Sequence, residues 1–243
     1  MAAVGFIGGL VDSIAGGGGL ITLPALLWAG LPPHMALGTN RFGSSFGSFT
    51  ATVRYARGGV VNLHEQWFGI LCTAVGAASG ALVVQSISTG FLKYLIPFLL
   101  AFVFIYMLIR PGFGEVTTRQ RMKSGLFHLI FGLTLGFYDG FFGPGTGSFW
   151  TIAILFFLGL DLLSATGKTK VMNFASNIAS LIVFIIGGQV VFQIGLVMGV
   201  GQVVGATIGS GLVMKKGVGF IKPVFMTMVF AVMAKLWYDT FFR

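Results

Sequence analysis

Gly5-Phe6-Ile7-Gly8-Gly9-Leu10-Val11-Asp12, running into Ala15-Gly16-Gly17-Gly18-Gly19, has a second copy later in the chain. The copy reads Gly132-Leu133-Thr134-Leu135-Gly136-Phe137-Tyr138-Asp139 and runs into Phe142-Gly143-Pro144-Gly145-Thr146-Gly147. From Asp12 to Asp139 the offset is 127 residues; from Arg41 to Lys170 it is 129, and there it stays. At that second offset Gly58-Gly59 meets Gly187-Gly188, and Gly76-Ala77 with Gly80 meets Gly205-Ala206 with Gly209. Phe91-Leu92-Lys93 likewise meets Phe220-Ile221-Lys222. Self-similarity at a nearly fixed offset across most of a chain marks an internal repeat. The expected organisation is repeat one over 1–110, a linker over 111–123 and repeat two over 124–243.

Composition says what the repeats are made for. Of 243 residues, 56% are hydrophobic and 9% are charged, against about 25% charged in soluble domains. No polar shell can be built from that. The 38 glycines and 26 phenylalanines suit helices that pack closely and face lipid. The fold class expected is an all-α polytopic membrane protein. Each half divides into five apolar segments: about 2–15, 19–31, 33–57, 66–86 and 91–109, then about 124–141, 146–159, 162–187, 192–214 and 219–239. Crossing a bilayer takes roughly 20 residues, so the last three of each half are long enough. The first two are short and broken by Gly and Pro. They are either short or tilted spans, or the arms of a re-entrant hairpin buried in protein. Both options give each half an odd number of crossings, so the expected fold is a pair of inverted-topology repeats. Four spans per half would make them parallel.

Loop charge favours inversion. Arg54 and Arg57 follow segment three of the first half, and the equivalent loop near Gly187-Gly188 is uncharged. Gln85-Ser86-Ile87-Ser88 is uncharged, and its equivalent carries Lys215-Lys216. With the linker bearing Arg110, Arg119, Arg121 and Lys123, all three basic loops fall on the cytoplasmic side. Both termini are then expected on the outer side of the membrane. The net charge of +9 then reflects cytoplasmic loops and anionic headgroups, not a nucleic-acid partner. No cleavable signal peptide is read at Met1–Leu10. Cys72 is the only cysteine, which rules out disulfides and cysteine metal sites. No metal site or cofactor is expected. His34, His64 and His128 form no ligand cluster, no Ser–His pair supports an enzyme, and the bilayer is the evident partner.

Segment three carries the chemistry. Arg41, Ser44 and Ser48 are spaced three and four apart, so they share a helix face. Their equivalents are Lys170, Asn173 and Asn177, and Asn40 corresponds to Thr169. Each half thus offers one buried cation, about 12 Å into its helix, followed by hydrogen-bonding side chains. A charge at such depth is costly and usually functional. The expected substrate-binding set is Asn40, Arg41, Ser44, Ser48, Lys170, Asn173 and Asn177, with backbone N–H groups from Gly17, Gly18 and Gly145 at helix starts. Asp12 and Asp139 would carry a proton or pair with the cations. The plainer alternative is a structural ion pair within each half, Arg41 with Asp12 and Lys170 with Asp139. For the glycines, the plainer alternative is close helix packing.

Val11-Asp12-Ser13-Ile14-Ala15-Gly16-Gly17-Gly18-Gly19, Leu23-Pro24-Ala25-Leu26-Leu27, Ala36-Leu37-Gly38-Thr39-Asn40 and Gly136-Phe137-Tyr138-Asp139-Gly140-Phe141-Phe142-Gly143-Pro144-Gly145 resemble the TauE/SafE family of sulfite and organosulfur anion transporters. The resemblance covers nearly the whole chain and is strongest to the YfcA-type branch of bacterial inner-membrane proteins, although the first segment is short for a member. It implies a secondary transporter that moves sulfite, a sulfonate or a related oxyanion by alternating access. An anion channel and a non-transporting scaffold subunit are the rival readings, and a homo-oligomer is compatible with each.

Overall fold

A computed structural model describes residues 1–109 and 119–216. The expected segment 219–239, its Phe220-Ile221-Lys222 match, and Arg110 and Glu115 of the linker lie outside the described residues. The helices are α1 (Ala2–Ala15), α2 (Gly19–Trp28), α3 (Pro33–Arg57), α4 (Trp67–Gln85), α5 (Thr89–Ile109), α6 (Ser124–Phe141), α7 (Thr146–Ala153), α8 (Leu162–Ile186) and α9 (Phe192–Lys216). A 3₁₀ turn, Leu63–Gln66, leads into α4, and a π turn, Ile154–Leu158, extends α7. No strand occurs among the described residues. The chain is an all-α membrane protein. Large apolar side chains such as Leu71, Val75, Leu82, Leu129, Leu133, Ile182, Leu196 and Val200 stand exposed along the outer helix faces. That surface needs lipid rather than water. Leu63–Gln85, Leu162–Ile186 and Phe192–Lys215 have both the length and the composition to span a bilayer. Helix α3 is as long, at 25 residues, but its polar side chains, Asn40 and Arg41 among them, are turned into protein.

Each half starts with a hairpin. Gly16, in the left-handed region at φ 74°, ends α1, and the chain returns as α2. In the second half α6 ends at Phe142, Gly143 turns the chain at φ 99°, and α7 returns. The base of this second hairpin is closed by the amides of Arg121 and Met122, which donate to Phe157 O at 2.9 and 3.1 Å. At 14 and 10 residues, α1 and α2 reach about 21 and 15 Å at 1.5 Å per residue. Neither matches a hydrocarbon core of about 30 Å. In both halves the first two segments double back on each other as a helical hairpin.

The halves interlock. Helix α1 packs along α9 of the other half, and α6 along α4. Gly5 and Gly9 lie against Met198 and Gln202, while Gly132 and Gly136 lie against Cys72 and Thr73. Gly76 and Gly80 meet Leu133 and Phe137; Gly205 and Gly209 meet Phe6 and Leu10. Three of these contacts match at the sequence offsets: Gly9 on Gln202 with Gly136 on Thr73, Gly205 on Phe6 with Gly76 on Leu133, and Gly209 on Leu10 with Gly80 on Phe137. Small residues let the backbones touch, as membrane helix pairs require. Helices α3 and α9 run parallel, with Gly38 at Gln189 and Gly58 at Met214. Helices α3 and α8 run antiparallel: Gly38 lies by Phe184, Arg41 by Asn177 and Val60 by Gly167.

A Cβ at Gly140 would run into the Ala77 carbonyl, whereas Gly90 has open space around it. Gly140→Ala should therefore cost about 1–3 kcal/mol, as overpacking does. Gly90→Ala should leave thermal unfolding of the detergent-solubilised protein in place. Equal shifts for the two would refute the packing role of the α4–α6 glycines.

Candidate functional site at the hairpin tips

The tips of the two hairpins meet. The Ser148 hydroxyl donates to Ala15 O at 2.8 Å, and a Cβ on Gly16 would strike the Gly147 backbone. Only glycine tolerates both that approach and the left-handed turn. Between the tips lies a cavity of about 30 Å³, lined by Asp12, Gly16, Gly19, Asn40, Arg41, Ser44, Asp139, Gly143, Thr146, Gly147, Asn173 and Asn177. It has room for about two waters, at about 10–15 Å³ each. The first turns of α2 and α7 both form part of the wall, so two positive helix ends meet there.

Arg41 and Lys170 are each the ninth residue of their helices, α3 and α8. Arg41 is 2% exposed and Lys170 is fully buried. Such charges need partners, and both find them in the opposite half. Arg41 Nη1 donates to Asp139 Oδ1 at 2.7 Å and to Asn177 Oδ1 at 3.1 Å. Lys170 Nζ donates to the Asp12 main-chain oxygen and, at 3.3 Å, to Asp12 Oδ2. The pairing of Arg41 with Asp12 and Lys170 with Asp139, weighed from the sequence, is thus corrected: the partners cross. The cause is geometric. Helix α1 lies on α9 and meets α8, and α6 crosses to α4, so the aspartate at each hairpin arm is delivered to the other half's cation.

Of the expected site residues, Asn40, Arg41, Ser44, Asn173, Asn177, Asp12 and Asp139 reach the cavity together. Lys170 stands behind Asp12. Ser48 is one contact removed, accepting from Asn177 Nδ2 at 3.2 Å. Gly17, Gly18 and Gly145 shape the breaks, while Gly16, Gly19, Gly143 and Gly147 form the wall. Gly18 adjoins Asp12, and Gly145, at φ 84°, caps α7.

The sequence reading missed Ser176, whose hydroxyl donates to Asp139 Oδ2, and Gln202, which donates to Ser44 Oγ at 3.2 Å. No spacing signal marks either. A second omission was legible: Thr22 and Thr151 share the offset of 129 residues. Thr22 Oγ1 bonds Asn40 Oδ1 at 2.6 Å, and Thr151 bonds Thr169 at 3.1 Å, tying each hairpin to its own third helix. Two buried polar atoms beside the cavity lack partners, Arg41 Nη2 and Asn173 Oδ1. Buried groups left unsatisfied are rare enough to need a reason.

An interior of crossed ion pairs between broken helices, inside an apolar outer surface, defines a polytopic membrane protein with a polar central site. The sulfite exporter TauE/SafE family model matches residues 1–236, and the chain belongs to that family. It is 44% identical over 236 residues to a "probable membrane transporter protein" of Haemophilus influenzae, covering 97% of this chain and 92% of that one. It is 44% identical over 237 residues to the "probable membrane transporter protein YfcA" of Escherichia coli K12, covering 98% and 88%. Identity to the Bacillus subtilis "probable membrane transporter protein YdhB" is 27% over 213 residues, 85% of this chain and 83% of that one. No solved structure matches the chain.

Removing one member of a buried pair costs about 3–5 kcal/mol. The crossed geometry predicts that Arg41→Gln and Asp139→Asn couple in a double-mutant cycle of unfolding, by about 0.5–3 kcal/mol. Arg41→Gln with Asp12→Asn should come closer to additivity. Stronger coupling in that second cycle would restore the within-half pairing.

Proposed function

We propose that this chain is a secondary transporter that carries a small anion (sulfite, a sulfonate or a related oxyanion) across the bacterial inner membrane by alternating access. The carrying observation is Arg41: buried at the meeting point of two hairpin tips, with Nη1 paired and Nη2 free. An oxyanion entering the cavity meets that free nitrogen, the first turns of α2 and α7, and the amides of Asn173 and Asn177. These groups replace the water it leaves behind. The relatives are named as membrane transporters and the family as one of sulfite exporters, which supports this reading. Asp12 or Asp139 would supply the coupling proton.

The inverted arrangement is part of this reading. Its support is the antiparallel course of α3 and α8, the equivalent third helices, and the placement of basic groups. The end of α3, with Arg54 and Arg57, adjoins the end of α9 through Gly58 and Met214. Val60, just beyond α3, touches Gly167 near the start of α8. Arg121 is bonded to Phe157, four residues before Asp161 caps α8. All these basic residues share one end of the molecule, the end the positive-inside rule assigns to the cytoplasm. On this reading the two hairpins enter from opposite sides, with the N-terminus in the periplasm. Rocking one repeat against the other would then open the cavity to each side in turn.

Arg41→Ala should weaken anion binding by about 2–5 kcal/mol, roughly 30-fold or more, read by calorimetry on monodisperse protein titrated with sulfite. Lys170→Ala should weaken it too, because Asp12 is left as an uncompensated negative charge at the wall. Arg41→Lys should not be neutral, since a point charge replaces a planar fork. Unchanged affinity in folded alanine variants would place the site elsewhere. For sidedness, single cysteines at Arg57 and Lys215 with Cys72 replaced should react with an impermeant maleimide only after the membrane is opened. Labelling of either in intact cells would sink the orientation.

A further inference from the structure

Four ionised groups meet around the cavity, and their charges cancel: Arg41 and Lys170 against Asp12 and Asp139. An anion entering this centre adds a full charge that only the partial charges of the two helix ends oppose, at a cost of several kcal/mol. The balance returns if one carboxylate takes a proton as the anion arrives. The two carboxylates are not equivalent candidates. Asp139 is 5% exposed at its side chain, and both oxygens are engaged, Oδ1 by Arg41 and Oδ2 by Ser176. Protonating it would reverse the Ser176 bond and take away the negative charge that braces Arg41. Asp12 has 22% of its side chain exposed and lines the cavity. Its carboxylate receives a single hydrogen bond from the described residues, the 3.3 Å contact from Lys170. The other Lys170 bond goes to the Asp12 main-chain oxygen, so the ammonium stays anchored when the carboxylate changes state.

The surroundings of Asp12 contain little else that titrates. Helices α2 and α7 carry no charged residue. On α9, Gln202 adjoins Gly9 and Gly209 adjoins Ser13, while the charged residues of that helix, Lys215 and Lys216, stand at its far end. Helix α3 presents Arg41 and the Tyr55 phenol, which donates to Ser13 O at 2.9 Å. Helix α8 presents Lys170, with Lys168 nearer the helix start, and Asp139 of α6 faces Asp12 across the cavity.

We infer that Asp12 is the proton-carrying group: it takes up one proton from the aqueous phase as each monovalent anion binds, and releases it where the anion leaves. Anion and proton then travel together, one to one and without net charge, while Asp139 remains ionised as the fixed brace of Arg41. Protonation also uncovers the Lys170 charge behind the wall, which holds the anion from the side opposite Arg41 Nη2. The inference rests on the anion-transport reading and adds to it the coupling ion, the stoichiometry and the residue.

The test uses methanesulfonate, a monoanion that binds no proton itself near neutral pH, so that every proton counted belongs to the protein. Calorimetry of the purified protein in two buffers of different ionisation enthalpy gives the protons taken up per anion bound. The expected result is one for the wild type and none for Asp12→Asn. The infrared difference spectrum, bound minus free, should gain a protonated-carboxyl C=O band in the wild type, shift it in Asp12→Glu and lose it in Asp12→Asn. In proteoliposomes an inward gradient of one pH unit should accumulate the anion about tenfold in the wild type, as one-to-one coupling requires. Asp12→Asn should exchange the anion without accumulating it. Anion binding without proton uptake in the wild type, or an infrared band that survives Asp12→Asn, would overturn the assignment while leaving the transporter reading standing. Absence of binding and exchange for methanesulfonate and sulfite alike would overturn the transporter reading and this inference with it.

Discussion

Arg41 can sit in the middle of an apolar helix bundle only because Asp139, from the other half of the chain, reaches it at 2.7 Å. Lys170 depends in the same way on Asp12. A lone charge at that depth would cost too much to keep, so the two halves cannot come apart without exposing four ionised groups to lipid. Much of the architecture serves this condition. The hairpins must be short, so that their tips end beside the cations. The tips must be glycine, so that the Gly16 and Gly147 backbones can touch. Helices α1 and α6 must lie close on α9 and α4 to aim their aspartates across, and the glycine seams bring them that close.

The same constraint shapes what the site can do. Crossed pairs hold the repeats together, and they engage the groups that an anion needs. The site is therefore poised: its charges cancel, yet one guanidinium nitrogen has no partner and one carboxylate is loosely held. A carrier gains from such an arrangement, because the bonds that lock the repeats are the bonds that cargo and proton can modify. Nothing beyond local rearrangement at Asp12 is needed to change the charge of the centre, and the brace at Asp139 keeps Arg41 in place meanwhile. The π turn that continues α7 and the free first turns of α2 and α7 are the irregular backbone expected around a central site.

The membrane class and the segments that fall among the described residues were legible from the sequence, because glycine spacing and apolar runs are local signals. Segment bounds agree with the described helices to within a few residues. The cations and the polar face of α3 were legible for the same reason: Arg41, Ser44 and Ser48 repeat as Lys170, Asn173 and Asn177. Partner choice was not. Aligning the halves places Arg41 with Asp12 and Lys170 with Asp139 by nearness along the chain, and interlocking reverses this. Ser176 and Gln202 escaped because each meets its partner only through the packing of helices distant in sequence. The recurrence of Thr22 as Thr151 was a usable signal, since a polar residue kept at a fixed offset inside an apolar run has a bond to make.

The crossed ion pairs can be measured directly by solid-state NMR in lipid, as dipolar dephasing between ¹⁵N-labelled Arg and Lys side chains and ¹³C-labelled Asp carboxyls. The account predicts that the Arg41 guanidinium is dephased by Asp139 and the Lys170 ammonium by Asp12, each signal vanishing with the matching Asp→Asn replacement. Dephasing of Arg41 that survives Asp139→Asn and vanishes with Asp12→Asn would contradict it.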